Sequence, residues 1–312
     1  MKWTPLIITI TCDPTIQDPL NPRRGELTTV DAIAREYIEA NAAGATMNHI
    51  HGIYSRDPVI QPDGRQLQIP DIDGTAGIID QIRAEYPTHP IQQGLASMRP
   101  EQKLQLWERI KPDMSSLNIG SHDEYFDPYP RLEKPIPCYS VHPINELRQN
   151  FQWSKEHGVK PELECFDTGV FDAIRIIREG VFWTDDDVME EEPGLLDDPL
   201  WLTFFFGWPG QSCQPMTDIS LFNQIYHLPD KSNWSMSAMS RCPMTYWAQI
   251  NRGILQNGHV RVGFEDCGKH PDGVYAQTNA ELVDRAVQMA KAVGRPIATA
   301  EEARETIGLR QI

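Results

Sequence analysis

Short apolar runs of strand length alternate along the chain with longer segments whose apolar residues recur at helical spacing. Successive parallel βα units produce this alternation. It predicts strands at residues 6–11, 46–51, 90–93, 114–119, 162–166, 201–206, 235–239 and 260–264. Helices are predicted at 28–43, 75–86, 100–110, 144–157, 171–179, 217–227, 244–256 and 279–292. Thr28 or Thr29 followed by Asp31 marks a helix start, while Gly44, Gly158 and Asn257-Gly258 mark stops. Eight such units, with no Gly-x-Gly-x-x-Gly loop after the first strand, favour a closed (β/α)8 TIM barrel over a doubly wound sheet. Both belong to the α/β class, and a barrel of this kind accommodates residues 1–312 as a single domain. Two stretches interrupt the alternation. An acidic run within 184–199 reads as a solvated insertion, and a Pro- and aromatic-rich segment, 125–137, reads as a lid or an interface arm.

Charge and cysteine usage narrow the functional class. A net charge of −16 argues against nucleic acid or an anionic membrane surface as partner, since both need cationic footprints. No stretch approaches the roughly 18 consecutive apolar residues of a membrane span. The six cysteines, at 12, 138, 165, 213, 242 and 267, show no CxxC spacing and read as reduced thiols of a cytoplasmic protein. Met1-Lys-Trp-Thr-Pro5 runs into a strand-like stretch with no small-residue cleavage site, so no signal peptide is expected.

The candidate chemistry lies at strand ends. His49 and His51, at i and i+2 on the second strand, point to the same side. Glu265 follows the eighth strand, and in a closed barrel the second and eighth strands flank the first. Their axes are then about 10 Å apart, within reach of inward side chains. Two imidazoles and a carboxylate would hold a divalent metal and leave positions open for water or substrate. The competing reading of the histidines is a satisfied structural pair. Arg261, Gly263 and Glu265 share strand parity, so an inward Glu265 brings Arg261 inward as well. Arg261 then acts at the site or forms a buried ion pair with a fifth-strand acid. In that strand, Pro161-Glu162-Leu163-Glu164-Cys165, the two glutamates share one face. Acids inside a barrel are costly unless paired or used. Glu164 is nearer the strand end and better placed for substrate contact, while Glu162 pairs deeper. Asp266 reads as a base or orienter, or as a plain loop cap.

Gly258-His-Val-Arg-Val-Gly-Phe-Glu-Asp266, Asn279-Ala-Glu-Leu-Val283 and Gly294-Arg-Pro-Ile-Ala298 together resemble the β-keto acid cleavage enzymes. Pro161–Asp167, His49-Ile-His51, Leu117-Asn118-Ile-Gly120-Ser121 and Phe205-Phe-Gly207-Trp-Pro209-Gly210 fit the same family in order. The resemblance spans nearly the whole chain. It implies a zinc ion on His49, His51 and Glu265, and acyl transfer between a β-keto acid and acetyl-CoA that gives acetoacetate and a new CoA thioester. It also implies Arg261 and Asp266 as active-site groups, Glu164, Glu162 and Asn118 toward substrate, and a homo-oligomer. The chain departs from the family pattern after the third strand. There Gln92-Gln93-Gly94-Leu95-Ala96-Ser97 places Gly94 where relatives carry a hydroxyl, which leaves that contact missing or moved to Ser97. A metal-dependent aldolase or hydrolase without CoA, and a non-catalytic metabolite-binding barrel, are the alternatives.

Overall fold

The computed structural model describes all residues except 1, 13–19, 24, 61–65, 95–97, 127–135, 180, 184–188, 192–193, 208–217 and 240–241. Eight parallel strands close into a barrel. They are β1 (Ile8–Thr11), β2 (Met47–Ile50), β3 (Ile91–Gln93), β4 (Met114–Asn118), β5 (Lys160–Cys165), β6 (Leu200–Phe206), β7 (Ser232–Ala238) and β8 (His259–Val262). They pair in chain order, and β8 returns to β1 through Ile8↔Val260, Thr9↔Arg261 and Ile10↔Val262. The predicted eight-unit barrel is therefore the observed fold.

The helices are α1 (Val30–Ala43), α2 (Ile72–Glu85), α3 (Pro100–Ile110), α4 (Ile144–His157), α5 (Val170–Glu179), α6 (Asp218–Tyr226), α7 (Pro243–Leu255), α8 (Asn279–Ala292) and α9 (Ala300–Ile307). Local chemistry fixes several boundaries. Thr29 caps α1 by accepting from the Ala32 amide, and Gly44, at φ +118°, ends that helix in a left-handed conformation open to glycine. The alternation did not predict α9, although Thr299 and Glu302 form a reciprocal capping box that is legible in the sequence.

The strands carry their apolar residues outward, where Ile8, Ile10, Leu117, Leu163, Leu202, Phe204, Met236, Val260 and Val262 join the main core under the helices. A separate cluster of Ile7, Met47, Met114 and Trp201, with Ala303 and Ile307 of α9, packs at the lower end of the barrel. Above this floor the inward positions are polar, among them Thr9, His49, Gln92, Ser116, Glu162, Thr203, Ser235 and Arg261, all buried. Interiors of such barrels are ordinarily filled by branched aliphatic residues. Here the upper layers are given to charged and hydrogen-bonding groups.

Three antiparallel pairs stand outside the barrel, at Tyr54–Ile60 with Gln66–Pro70, Ser121–Phe126 with Ile136–Val141, and Val181–Trp183 with Met189–Glu191. The second flanks the expected lid or arm, 125–137, most of which lies outside the described residues. The third occupies part of the expected acidic insertion, 184–199, of which 184–188 and 192–193 lie outside them. Among the described residues no helix is long and apolar enough to cross a membrane. Cys12, Cys165 and Cys267 are buried, Cys242 is exposed, and none of these four is in a disulfide.

Candidate metal centre

His49 and His51 stand at the upper end of β2, and their Nε2 atoms converge to 3.1 Å. His51 Nε2 lies 3.6 Å from Glu265 Oε1. One ligand atom from each of these three residues falls within 4.8 Å of the others. The partners of His49 fix which nitrogen is free. Its Nδ1 lies 2.7 Å from Gln92 Oε1 and 3.9 Å from Glu162 Oε2. An acceptor amide oxygen and a carboxylate at Nδ1 require the proton there, which leaves the Nε2 lone pair facing His51.

Burial, followed by the positive charge of Arg261, pushes His49 well below the ordinary imidazole range, so the ring is neutral. Two convergent imidazole nitrogens beside a carboxylate constitute a donor set for a divalent cation. Gly94 leaves the space such an ion needs. A Cβ at that position would stand 2.8 Å from both Nε2 atoms. The residues present therefore fit a metal.

Glu265 reaches this cluster through a turn and not through strand parity. The strand ends at Val262, and Gly263 adopts φ +151° with the site of an added Cβ only 1.9 Å from Thr11 O. Only glycine allows the end of β8 to press on β1 in this way. Glu265 and Asp266 then both turn inward. Glu265 accepts from the Thr11 hydroxyl and from Arg261. Asp266 accepts from Arg261 Nε at 3.1 Å, from Arg261 Nη2 at 3.0 Å and from Ser237 Oγ at 3.0 Å.

In place of the alternative pairing with a fifth-strand acid, Arg261 forks onto the two carboxylates that follow its own strand. Its guanidinium also lies 5.2 Å from the Phe205 ring centre, and Phe205 stacks on Phe166 at 4.9 Å. Burial raises both acids. For Glu265 the nearby Arg261, His51 and His49 outweigh that burial and pull it below the usual carboxylate range. For Asp266 burial prevails over Arg261, with Glu265 adding to it, and the group is raised.

Glu162 accepts from the Ser116 and Thr203 hydroxyls below the histidines. Glu164, one step higher, is buried and raised by burial and then by Glu162. Asn118 is buried at the end of β4, opposite Glu164 in the ladder. Ser97 lies outside the described residues.

The sequence reading passed over two residues. Gln92 orients His49, and its signal was register, because it is the ladder partner of His49. Lys103 is fully buried on α3, where Lys103, Leu106, Trp107 and Ile110 form one buried stripe. A lysine in an otherwise apolar stripe was the signal there.

The chain matches the family description "beta-keto acid cleavage enzyme" over residues 28–309. It is 33% identical over 292 residues to the 3-keto-5-aminohexanoate cleavage enzyme of Acetoanaerobium sticklandii, covering 90% of each chain. It is 28% identical over 301 residues to the 3-dehydrocarnitine:acetyl-CoA trimethylamine transferase of Rhizobium meliloti, covering 90% of this chain and 89% of that one. Among solved structures, the apo form of ObcA superposes with a TM-score of 0.62 at 16% identity. That match covers 90% of this chain and 65% of ObcA, and it speaks to the fold alone.

Proposed function

The chain belongs to the beta-keto acid cleavage enzyme family, and on that premise we propose that it transfers an acyl group between a β-keto acid and acetyl-CoA, with zinc held by His49, His51 and Glu265. Its relatives are named as cleavage enzymes and acetyl-CoA transferases, and it is an enzyme of that carbon–carbon cleaving and acyl-transferring kind. The observation that carries the finer reading is the convergence of two imidazole Nε2 atoms and a carboxylate beside the Arg261–Asp266 pair at the mouth of the barrel.

When bound, the ion supplies Lewis-acid polarisation of the keto acid's oxygens. The remaining work falls to side chains. The C2 carbon of a β-keto acid, flanked by a ketone and a carboxylate, must give up a proton before it can attack the acetyl thioester. Asp266 is the acceptor we assign. It is a buried carboxylate raised above its ordinary range, held in one orientation by the Arg261 fork and by Ser237. Arg261 keeps positive charge beside the oxygens that become more negative as that proton leaves. C2 then bonds to the acetyl carbon as the acetyl–sulfur bond breaks, the freed CoA thiolate adds to C3, the bond between C2 and C3 breaks, and C2 takes the proton back from Asp266. The products are acetoacetate and a new thioester. Phe205 and Phe166, buried beside Arg261, shield this charge from water. Glu164 and Asn118 line the side where the variable tail of the keto acid would lie, and Gly94 leaves room above the histidines.

The test is a panel of β-keto acids, including 3-keto-5-aminohexanoate, 3-dehydrocarnitine and 3-oxoadipate, assayed for acetoacetate with and without acetyl-CoA. Turnover that requires acetyl-CoA and disappears on metal chelation is expected. Turnover that proceeds equally without acetyl-CoA would replace this reading with the aldolase or hydrolase alternative.

A further inference from the structure

The four acids of the barrel mouth are not held alike. Glu162 has two hydroxyl donors, Glu265 has Thr11 and Arg261, and Asp266 has Arg261 and Ser237. Among the described residues the Glu164 carboxylate accepts no hydrogen bond, although the residue is only 6% exposed. The cations acting on it are Arg261 and Lys103, while Glu162 and Glu265 repel it. Arg261 directs Nε and Nη2 at Asp266 and Glu265, and Nη1 at His49 Nε2, 3.4 Å away. That leaves Lys103.

Lys103 arrives from outside the barrel wall. It sits on α3 with no exposed surface, and its Nζ donates to Ser116 O at 2.6 Å, the one hydrogen bond it makes among the described residues. The place of that bond is informative. The β3–β4 ladder runs through Gln92↔Met114 and Gln93↔Ser115 and goes no further. The carbonyl of the next β4 residue accepts from the ammonium. The charge therefore enters where the shortest barrel strand has run out, behind the strand residue whose hydroxyl donates to Glu162 and lies 3.5 Å from His49 Nδ1. The charges acting on Lys103 are Glu164 first, then Glu146 of α4, then Glu162. Burying an ammonium with a single neutral acceptor is costly, and a nearby carboxylate offsets that cost.

We propose that Lys103 is a positioning residue that acts as the counter-charge of Glu164, inserted through the gap at the end of β3 so that the unbonded Glu164 carboxylate stays an open acceptor for a donor group on the keto acid. The inference deepens the acyl-transfer reading and rests on it for the identity of the substrate. Burial pulls Lys103 down to about 7 against the opposing pull of Glu164, Glu146 and Glu162.

The test is carried out on the metal-loaded protein with Lys103→Met, which removes both the bond and the charge, and Lys103→Gln, which can still donate to Ser116 O without charge. Carboxyl carbon resonances of labelled glutamate are followed against pH, with Glu164 assigned by its loss in Glu164→Gln. Both Lys103 variants should move the Glu164 titration to higher pH by about one unit or more. With a substrate from the panel, Lys103→Met should lower kcat/KM about tenfold through KM. In the Glu164→Gln background the same substitution should cost nothing further. An unmoved Glu164 titration in a folded Lys103→Gln protein overturns the proposal and leaves Lys103 a strap for β4. A full additional loss in the double variant overturns it as well. The titration needs no turnover, so an inactive wild type would count against the acyl-transfer reading while the Lys103 result stands by itself.

Discussion

The mouth and the floor of the barrel each hold a buried, neutral histidine, and the two differ in what the spare nitrogen meets. At the floor, His259 Nδ1 accepts the Ile7 amide at 3.0 Å, and the ring stacks on Trp201 at 5.2 Å. Burial, then the charge of Arg295, pushes it down to about 3. At the mouth, His49 is also buried and also pushed down, but its Nδ1–H donates to Gln92 Oε1 and its Nε2 faces another imidazole. The two rings thus hold opposite tautomers. Burial and a depressed pKa do not distinguish a ligand from a packing residue. The partner that fixes the tautomer, and the group opposite the remaining nitrogen, do distinguish them.

The largest contrast should come from deleting each ring. His49→Ala is expected to fold, to fall from about one metal per chain to none, and to lose turnover. Elemental analysis beside an acetoacetate assay checks this, and a variant that keeps its metal would remove His49 from the donor set. His259→Ala should do the reverse, keeping the metal and losing about 3 kcal/mol of stability to the cavity beside Trp201. Denaturant midpoints measure that loss. If His259→Ala instead sheds metal while keeping its stability, the contrast between the two ends fails.

A smaller effect sharpens the tautomer argument. Gln92→Leu removes the acceptor that holds the His49 proton on Nδ1 while keeping the volume, and should weaken metal binding about 10- to 100-fold. Competition with a chromophoric chelator reads this without substrate, and unchanged affinity would mean that Glu162 orients the ring alone. One further effect appears only in acid. The His259 folded-state pKa is depressed from 6.5 to about 3, so the unfolded chain binds the proton more readily. The contribution of this residue to stability is complete above about pH 6.5. It is lost at about 1.4 kcal/mol per unit as pH falls from there toward 3. A His259→Phe protein should lack that component, and the difference between the two stability–pH curves isolates it. Parallel curves between pH 6.5 and 4 would contradict the assignment.

Much of the fold was legible because hydrophobic alternation reports which face of a strand meets the helices, and that face is set by local period. All eight barrel strands and the eight major helices follow from it within a few residues, and α3, α4 and α8 coincide with their predicted spans. The three antiparallel pairs escaped the reading because they are short excursions with no helix to cover. The last helix escaped because its eight residues carry a capping signal without a strand before them.

For the site, the sequence determined the inventory. It supplied an imidazole pair on one strand face, two acids after the last strand, and two more acids on an inner face. Period 2 and the closure of the barrel suffice to bring the histidines and the inner-face acids to one end, while Glu265 and Asp266 need the turn at Gly263. The tertiary structure alone decided who bonds whom. Arg261 turns to Glu265 and Asp266 because a glycine in an extreme conformation ends the strand against Thr11. Gln92 holds His49 because register places it there. Lys103 enters because β3 is one residue too short to cover Ser116. Periodicity encodes direction, which is local. Pairing depends on distances between segments far apart in the chain, and those exist only once the barrel has closed.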